Sequence, residues 1–143
     1  MLNVVLDTNV VISSIINVGY PNKILYQLIA PRKITLHIST SILDEYIKVL
    51  SRPKFVKFKN FKTNSDFILS NIYKVGVKFT PDIELDVIKD KSDNKFIELA
   101  VFSKANFIIT GNTKHFTIKE YKGIKIISPK EYWENFGKKI VGD

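Results

Sequence analysis

The sequence contains no cysteine, and only two of its 143 residues are histidines. It therefore forms no disulfide and no thiolate zinc site, and it has no cysteine nucleophile. A chain of this length is about one domain and buries roughly two-thirds of its unfolded surface, so folding needs neither a disulfide nor a structural metal. We expect a single domain over residues 1–143.

The sequence also lacks an apolar run close to the roughly 18 residues that a membrane span requires. At its start, no basic stretch leads into an apolar stretch, as a secretory leader would have. These absences predict a protein without a membrane segment, located in the cytoplasm.

Acidic residues are few: 14 Asp and Glu stand against 22 Lys and Arg, which gives a net charge of +8. The excess concentrates between Lys48 and Lys62, a stretch without any acidic residue that we call the basic segment. Basic residues interleaved with aromatic ones are typical of surfaces that bind single-stranded nucleic acid. The three-residue spacing of Phe55, Phe58 and Phe61 equally favours packing on the core beneath solvated lysines. Both interpretations stay open.

In the segment NVVLDTNVVISSI, from Asn3 to Ile15, a run of apolar residues leads to a single carboxylate. After it, the apolar residues recur with a spacing that predicts a helix. That carboxylate is Asp7, and an ionised group at the edge of a core is costly unless it is paired or bound to a metal. Helix capping is the alternative, with Thr8 or Asn9 as the capping residue and Asp7 favouring the helix dipole. The segment alone does not decide between a cap and a functional site.

Short apolar strands alternate with amphipathic helices along the rest of the chain. Local signals predict four helix starts: hydroxyl caps from Ser39, a capping box of Thr63 and Asp66, a cap from Ser92 and Asp93, and Pro129 in a first turn. The alternation of strands and helices predicts an α/β fold in which a mainly parallel sheet is covered on both faces, as in a three-layer α/β/α sandwich. The predicted strands are centred on Val5, Leu36, Lys78, Ile108 and Ile126. In such folds sites form at the carboxyl ends of the strands, where the topology changes direction. Asp7 and Thr110 both end strands, so they map to one edge.

Further carboxylates are expected at that edge because helices begin there. Glu45 lies early in the helix after the second strand, and Asp93 precedes the helix before the strand FIIT. Acids that converge from separate elements repel one another without a cation, and oxygen ligands suit Mg²⁺ or Mn²⁺. The remaining acids are interpreted as solvated helix faces or loop charges, namely Asp44, Glu98, Glu131 and those between Asp82 and Asp90.

Four segments in order carry a family resemblance: VVLDTNVVISS, ISTSILDEYIKVLSRPKF, KSDNKFIELAVFSKANFIITGNTKHF and GIKIISPKEY. Together they resemble the PIN domain, in particular its toxin branch, over essentially the whole chain. The resemblance implies a metal-dependent ribonuclease site that contains Asp7, Glu45 and Asp93 as metal ligands. The family's fourth acidic position is occupied by Asn112 here, which keeps an oxygen ligand but removes a charge, so we expect a second metal ion to bind only weakly.

The mechanism that the resemblance implies is phosphodiester hydrolysis without a covalent intermediate. Mg²⁺ or Mn²⁺ held by Asp7 and Asp93 would activate water and neutralise charge on the phosphate, while Glu45 would ligate or orient the attacking water. Asn112 would contact a water or a phosphate oxygen. RNA as substrate, a cognate antitoxin and a homodimer are implied in the same way.

Individual residues argue against two other classes of protein that have an acidic site on a parallel sheet. A phosphate-receiving domain would have adjacent carboxylates after the first strand, and a dehalogenase-like phosphatase would have a second Asp where Asn9 stands. A non-catalytic RNA-binding or partner-binding module stays open because of Asn112. Thr8, Asn9 and Thr110 are candidates for supporting the site residues, but capping or turn formation is the favoured interpretation of each. His37 is expected to be a partly buried neutral side chain rather than a ligand.

Overall fold

The computed structural model describes residues 1–111, 116 and 118–142 of the chain. Asn112, the fourth predicted site residue, lies outside the described residues.

The centre of the fold is a six-stranded sheet in the order β3-β2-β1-β4-β6-β5. Every neighbouring pair is parallel except β5 and β6. The chain leaves β1 on one side, builds β2 and β3, and returns to place β4 on the other side of β1. The carboxyl end of β1 is therefore the point where the topology changes direction. The strands are β1 (Asn3–Leu6), β2 (Thr35–Ser39), β3 (Val77–Phe79), β4 (Phe107–Ile109), β5 (Glu120–Tyr121) and β6 (Ile124–Ile127).

Helices connect the strands, and two of them continue directly into a π-helical turn. The longer connections between parallel strands are helical, as right-handed crossovers require. The helices are α1 (Thr8–Ile16), α2 (Tyr20–Ile24, continued by the π-turn Leu25–Ile29), α3 (Thr40–Leu50), α4 (Phe61–Val75), α5 (Asn94–Ser103), α6 (Pro129–Tyr132, continued by the π-turn Trp133–Gly137) and α7 (Lys138–Gly142). Short 3₁₀ turns occupy Pro53–Phe55 and Lys91–Asp93.

Both faces of the sheet are covered. Consecutive residues of a strand point to opposite faces, yet Val4, Val5 and Leu6 are all fully buried, and so are the three residues of β4. Helix α5 packs against β1, β2 and β4. The predicted α/β fold with a mainly parallel central sheet is confirmed.

The local signals that start α3 and α6 act as predicted. Ser39 accepts a hydrogen bond from the N–H of Ile42 (3.2 Å) and begins α3. Ser128 accepts one from the N–H of Glu131 (3.1 Å), and Pro129 occupies the first turn of α6. These caps fix the points where the chain leaves β2 and β6.

One sequence interpretation is wrong, and one strand was not predicted. Thr63 and Asp66 were expected to form a capping box, but α4 begins at Phe61, after Asn60 in a left-handed conformation (φ 60°), and Asp66 pairs with Lys62 at 3.4 Å. The sequence also gave no indication of β5, a two-residue antiparallel edge strand.

The phenylalanines of the basic segment pack together on the core. The rings of Phe55 and Phe61 stack with centroids 5.0 Å apart, and Phe58 lies 6.4 Å from Phe61. Burial of Phe61 in this cluster is the physical reason that α4 starts earlier than its polar residues suggested. The packing interpretation of the phenylalanines is confirmed, and the lysines between them stay exposed.

His37 is buried in β2, as expected for a structural histidine. Its Nδ1 lies 2.8 Å from the hydroxyl of Ser103, and its ring lies 4.6 Å from that of Phe79. Burial lowers the pKa of His37, so the neutral form is favoured.

Among the described residues, no helix combines the length and the apolar character that crossing a bilayer demands.

Gly76, which ends α4, is required by close packing. A Cβ added there would lie 2.6 Å from Cδ1 of Ile38 and 2.7 Å from the carbonyl oxygen of Ile72, which cannot move freely. Gly76→Ala is therefore expected to destabilise the protein by about 1–3 kcal/mol. Chemical denaturation measures this loss. Gly19→Ala is the control, because nothing lies within 4 Å of its added Cβ; equal effects of the two substitutions would contradict the packing argument.

Candidate active site

Asp7 lies at the carboxyl end of β1, in the middle of the sheet. Its N–H donates to the carbonyl of Ile109 in β4 (3.0 Å), so the backbone is held where the two strands end. The residue is only 5% exposed. It precedes α1, but its side chain makes no capping hydrogen bond to that helix. Capping therefore does not account for a buried carboxylate at this position.

Thr110 holds the Asp7 carboxylate from the neighbouring strand. Its hydroxyl donates to Oδ2 of Asp7 at 2.8 Å, and its N–H donates to the carbonyl of Ile127 at 3.0 Å. Thr110 is fully buried. The expectation that this threonine would serve a cap or turn is wrong, because parallel pairing of β1 with β4 brings it beside Asp7.

The electrostatic surroundings of Asp7 disfavour its charge. Burial raises the pKa of Asp7 from 3.8 to about 6, the hydrogen bond from Thr110 opposes this, and the negative charges of Asp93 and Glu45 raise it further. The three predicted acids therefore act on one another. A cation is the natural partner for such a group.

Glu45 projects from α3 and is held at both oxygens. The Thr8 hydroxyl donates to Oε2, and the Lys95 ammonium lies 2.5 Å from Oε1. The expectation that Thr8 would only cap a helix is therefore wrong: its hydroxyl fixes Glu45, whereas Asn9 is exposed at the surface.

Tyr46 is a buried neighbour of these acids. It is fully buried in α3, and its hydroxyl donates to the carbonyl of Leu6 at 2.6 Å. Burial raises the pKa of Tyr46 well above its usual value, and the charges of Asp7 and Glu45 contribute. A neutral tyrosine thus ties α3 to the end of β1.

Asp93 lies in the 3₁₀ turn that leads into α5 and makes no side-chain capping bond to that helix. The expectation that Ser92 and Asp93 would cap α5 is wrong: the Ser92 hydroxyl instead donates to Oδ1 of Asp90 at 2.7 Å. Buried Asn94 fixes the preceding loop, since its Oδ1 accepts from the N–H groups of Val87 (3.0 Å) and Ile88 (2.9 Å). The acidic turn is therefore placed by hydrogen bonds to the backbone.

These side chains surround a cleft of about 420 Å³ that we call the acid cleft. It combines carboxylates with two cations from the basic segment. Its lining residues include Asp7, Thr8, Glu45, Asp90 and Asp93 together with Arg52 and Lys54. A larger, mostly apolar groove of about 650 Å³ lies along α3 and α4 and also includes Arg52.

The acid cleft offers oxygen ligands, the chemistry that Mg²⁺ and Mn²⁺ prefer. Within the described part of the chain, no three His, Asp or Glu side chains are grouped closely enough to hold one ion together. Mg²⁺ is nevertheless commonly held by only one or two carboxylates, with waters and substrate phosphates completing its coordination. The buried Asp7 and the neighbouring Asp93 fit an ion of that kind.

One further acid differs from the expected solvated positions. Glu98 accepts a hydrogen bond from the N–H of Leu85 at 2.8 Å and so anchors the loop after β3. Asp90 is an exposed loop charge, as predicted, and it also lines the acid cleft. Asp44 and Glu131 are exposed, as predicted.

The sheet with its acid cleft is a nuclease-type α/β fold. Residues 3–114 match the PIN domain family, and the chain therefore belongs to that family. Proteins of this family are in general metal-dependent nucleases that act on RNA. The uncharacterized protein MJ1680 of Methanocaldococcus jannaschii is 39% identical over 149 aligned residues, which cover 97% of this chain and 94% of that protein.

Sequence reasoning missed Lys95, Tyr46 and Asn94, and for Thr110 it favoured a cap or turn over a role in the site. Lys95 stands two residues after Asp93, and a lysine in the first turn of a helix has no signal of its own. Only the packing of α5 beside α3 shows that it contacts Glu45.

The raised pKa of Asp7 predicts a pH-dependent stability. The folded protein binds its proton more tightly than the unfolded chain, so stability is lost as pH rises from about 4 through about 6, by up to ~3 kcal/mol. Asp7→Asn removes this loss. In a metal chelator, the melting temperature of Asp7→Asn minus that of the wild type is expected to increase between about pH 4.5 and pH 7.5. A difference in melting temperature that stays constant with pH would contradict the raised pKa of Asp7.

Proposed function

We propose that this protein is a metal-dependent ribonuclease that hydrolyses RNA phosphodiester bonds in the acid cleft. The observation that carries the proposal is the buried Asp7 carboxylate, whose pKa is raised to about 6 by burial and further by Asp93 and Glu45. Such a group gains most from a cation. Its place at the topological switch of a parallel sheet and the membership of the PIN family support the same conclusion.

The roles follow from the positions of the side chains. Asp7 and Asp93 would hold Mg²⁺ or Mn²⁺, with Thr110 fixing the orientation of Asp7. Glu45, held by Thr8, would orient the attacking water or contribute to the metal site. Asn112 is proposed to contact a water or a phosphate oxygen.

The chemistry is the replacement of one P–O bond by another. When bound, the metal ion supplies charge neutralisation at the phosphate and acidifies water. The water oxygen attacks phosphorus while the bond to the leaving nucleoside oxygen breaks. Glu45 would orient the attacking water, whose proton passes to solvent, and the leaving oxygen takes up a proton from solvent.

The basic segment would bind the RNA backbone. Lys54 and Lys57 are exposed and lie over the rings of Phe55 (5.2 Å) and Phe58 (5.3 Å). Because Arg52 and Lys54 also line the acid cleft, this surface continues into the proposed site. Lysines in such a position attract phosphates regardless of base sequence.

The finer assignments rest on family resemblance. A toxin role with a cognate antitoxin, a homodimer and a cytoplasmic location remain proposals, and a small DNA-binding protein with an acidic tail encoded beside this gene would support the first. A non-catalytic RNA-binding module is the alternative. Cleavage of RNA with Mn²⁺, absent with a chelator, distinguishes the enzyme from the module.

Metal binding and the acid cluster are expected to depend on each other. Mg²⁺ or Mn²⁺ should raise the melting temperature of the wild type by mass action, and Asp7→Asn should abolish both this rise and RNA cleavage. Thermal melts and a cleavage assay measure the two effects. Asp44→Asn is the control, because Asp44 is an exposed acid of α3 outside the acid cleft. Full metal-dependent cleavage by Asp7→Asn would show that the site is wrongly assigned.

The basic segment is expected to contribute affinity without sequence preference. Replacing Lys54, Lys57 and Lys59 by glutamine should weaken binding of all RNA sequences alike and reduce the slope of log K against log salt by roughly 0.7 per lost contact. Fluorescence anisotropy at several salt concentrations measures this. The matched control replaces three exposed lysines outside the segment, Lys33, Lys74 and Lys125. An unchanged slope in the first variant would mean that its lysines do not contact RNA.

A further inference from the structure

Lys95 forms the closest ion pair of the acid cluster among the described residues. It projects from the first turn of α5, and its ammonium lies 2.5 Å from Oε1 of Glu45 in α3. The side chains are 25% and 21% exposed, so the pair is largely shielded from water. A pair in such surroundings is screened less than one at the surface.

Glu45 has little capacity left for another partner. One of its oxygens faces Lys95, and the other accepts the hydroxyl of Thr8. A divalent ion that bound Glu45 would have to displace the ammonium or share a carboxylate with it. Two cations at that separation repel strongly in a partly desolvated cleft.

The acidic side chains match the ligands of one of the two ions in a two-metal site. In two-metal phosphodiesterases a pair of ions about 4 Å apart stabilises the attacking and the leaving oxygens. Here Asp7 and Asp93 fit one hard ion, and Glu45 is the remaining predicted acid ligand. The Lys95 ammonium supplies positive charge at Glu45 without any metal.

We propose that Lys95 limits this site to one divalent cation: by pairing with Glu45, its ammonium occupies the carboxylate that a second ion would need. This rests on the metal site of the proposed function. It goes further because it assigns the number of ions and a positioning residue outside the acidic set.

Isothermal titration with Mn²⁺ in the absence of RNA tests the proposal. The wild type is expected to bind one ion per chain. In Lys95→Gln the freed Glu45 carboxylate becomes available, and a second binding event is expected. Circular dichroism establishes that the variant is folded.

Three controls separate charge from other effects of the substitution. Lys95→Arg keeps a cation and should still bind one ion. The double variant with Glu45→Gln and Lys95→Gln has the same net charge as the wild type and should lose the second ion. Lys48→Gln removes an exposed lysine of α3 that forms no ion pair in the described part of the chain, and it should bind one ion.

The outcomes are distinct. Two ions in the wild type, or one ion with unchanged affinity in folded Lys95→Gln, would overturn the role of Lys95. If Lys95→Gln does not fold, Lys95→Arg decides: a second ion in that variant would overturn the proposal, and one ion would support it. Binding of no Mn²⁺ by the wild type would overturn the metal site itself. If the wild type and the variants bind the predicted numbers of Mn²⁺ ions but the protein does not cleave RNA, the role of Lys95 is supported. Only the ribonuclease function is then contradicted.

Discussion

The burial of one carboxylate governs the arrangement of this molecule. Asp7 follows β1, in which Val4, Val5 and Leu6 are fully buried, and its charge is disfavoured by desolvation and by two nearby acids. The surrounding structure is organised to tolerate it: Thr110 donates a hydrogen bond, and Tyr46 ties the end of β1 to α3. A protein that needed only stability would have an apolar residue or a neutral cap here, because either avoids this cost. The cost is understandable if the charge serves a cation.

The second feature on which the site depends is that acidic and basic side chains line the same cleft. The acid cleft contains Asp7, Glu45 and Asp93, and Arg52 and Lys54 of the basic segment also line it. A polyanion is attracted to the basic residues and repelled by the acids unless a cation covers them. On the proposed function, RNA binding and metal binding would therefore depend on each other. Lys95, on Glu45, is the cation that the chain itself provides.

Much of the fold followed from local signals in the sequence. Uninterrupted apolar strands indicated a sheet covered on both faces, and Ser39 and Pro129 marked helix starts that the structure contains. Asp7 was identified because a buried strand has no apolar reason to end in a carboxylate. What failed depended on distant contacts: Phe61 joined an aromatic cluster and moved the start of α4, and Thr110 bonded a residue 103 positions away. Lys95 was missed for the same reason, since its partner lies on another helix.

The most direct test of this account is anomalous diffraction from crystals grown with Mn²⁺. We predict a strong Mn²⁺ peak in the acid cleft, within coordination distance of carboxylate oxygens of Asp7 and Asp93, with the Lys95 ammonium still on Glu45. A peak elsewhere on the molecule, or none in the cleft at saturating Mn²⁺, would contradict the claim that the buried carboxylate exists to bind a metal ion.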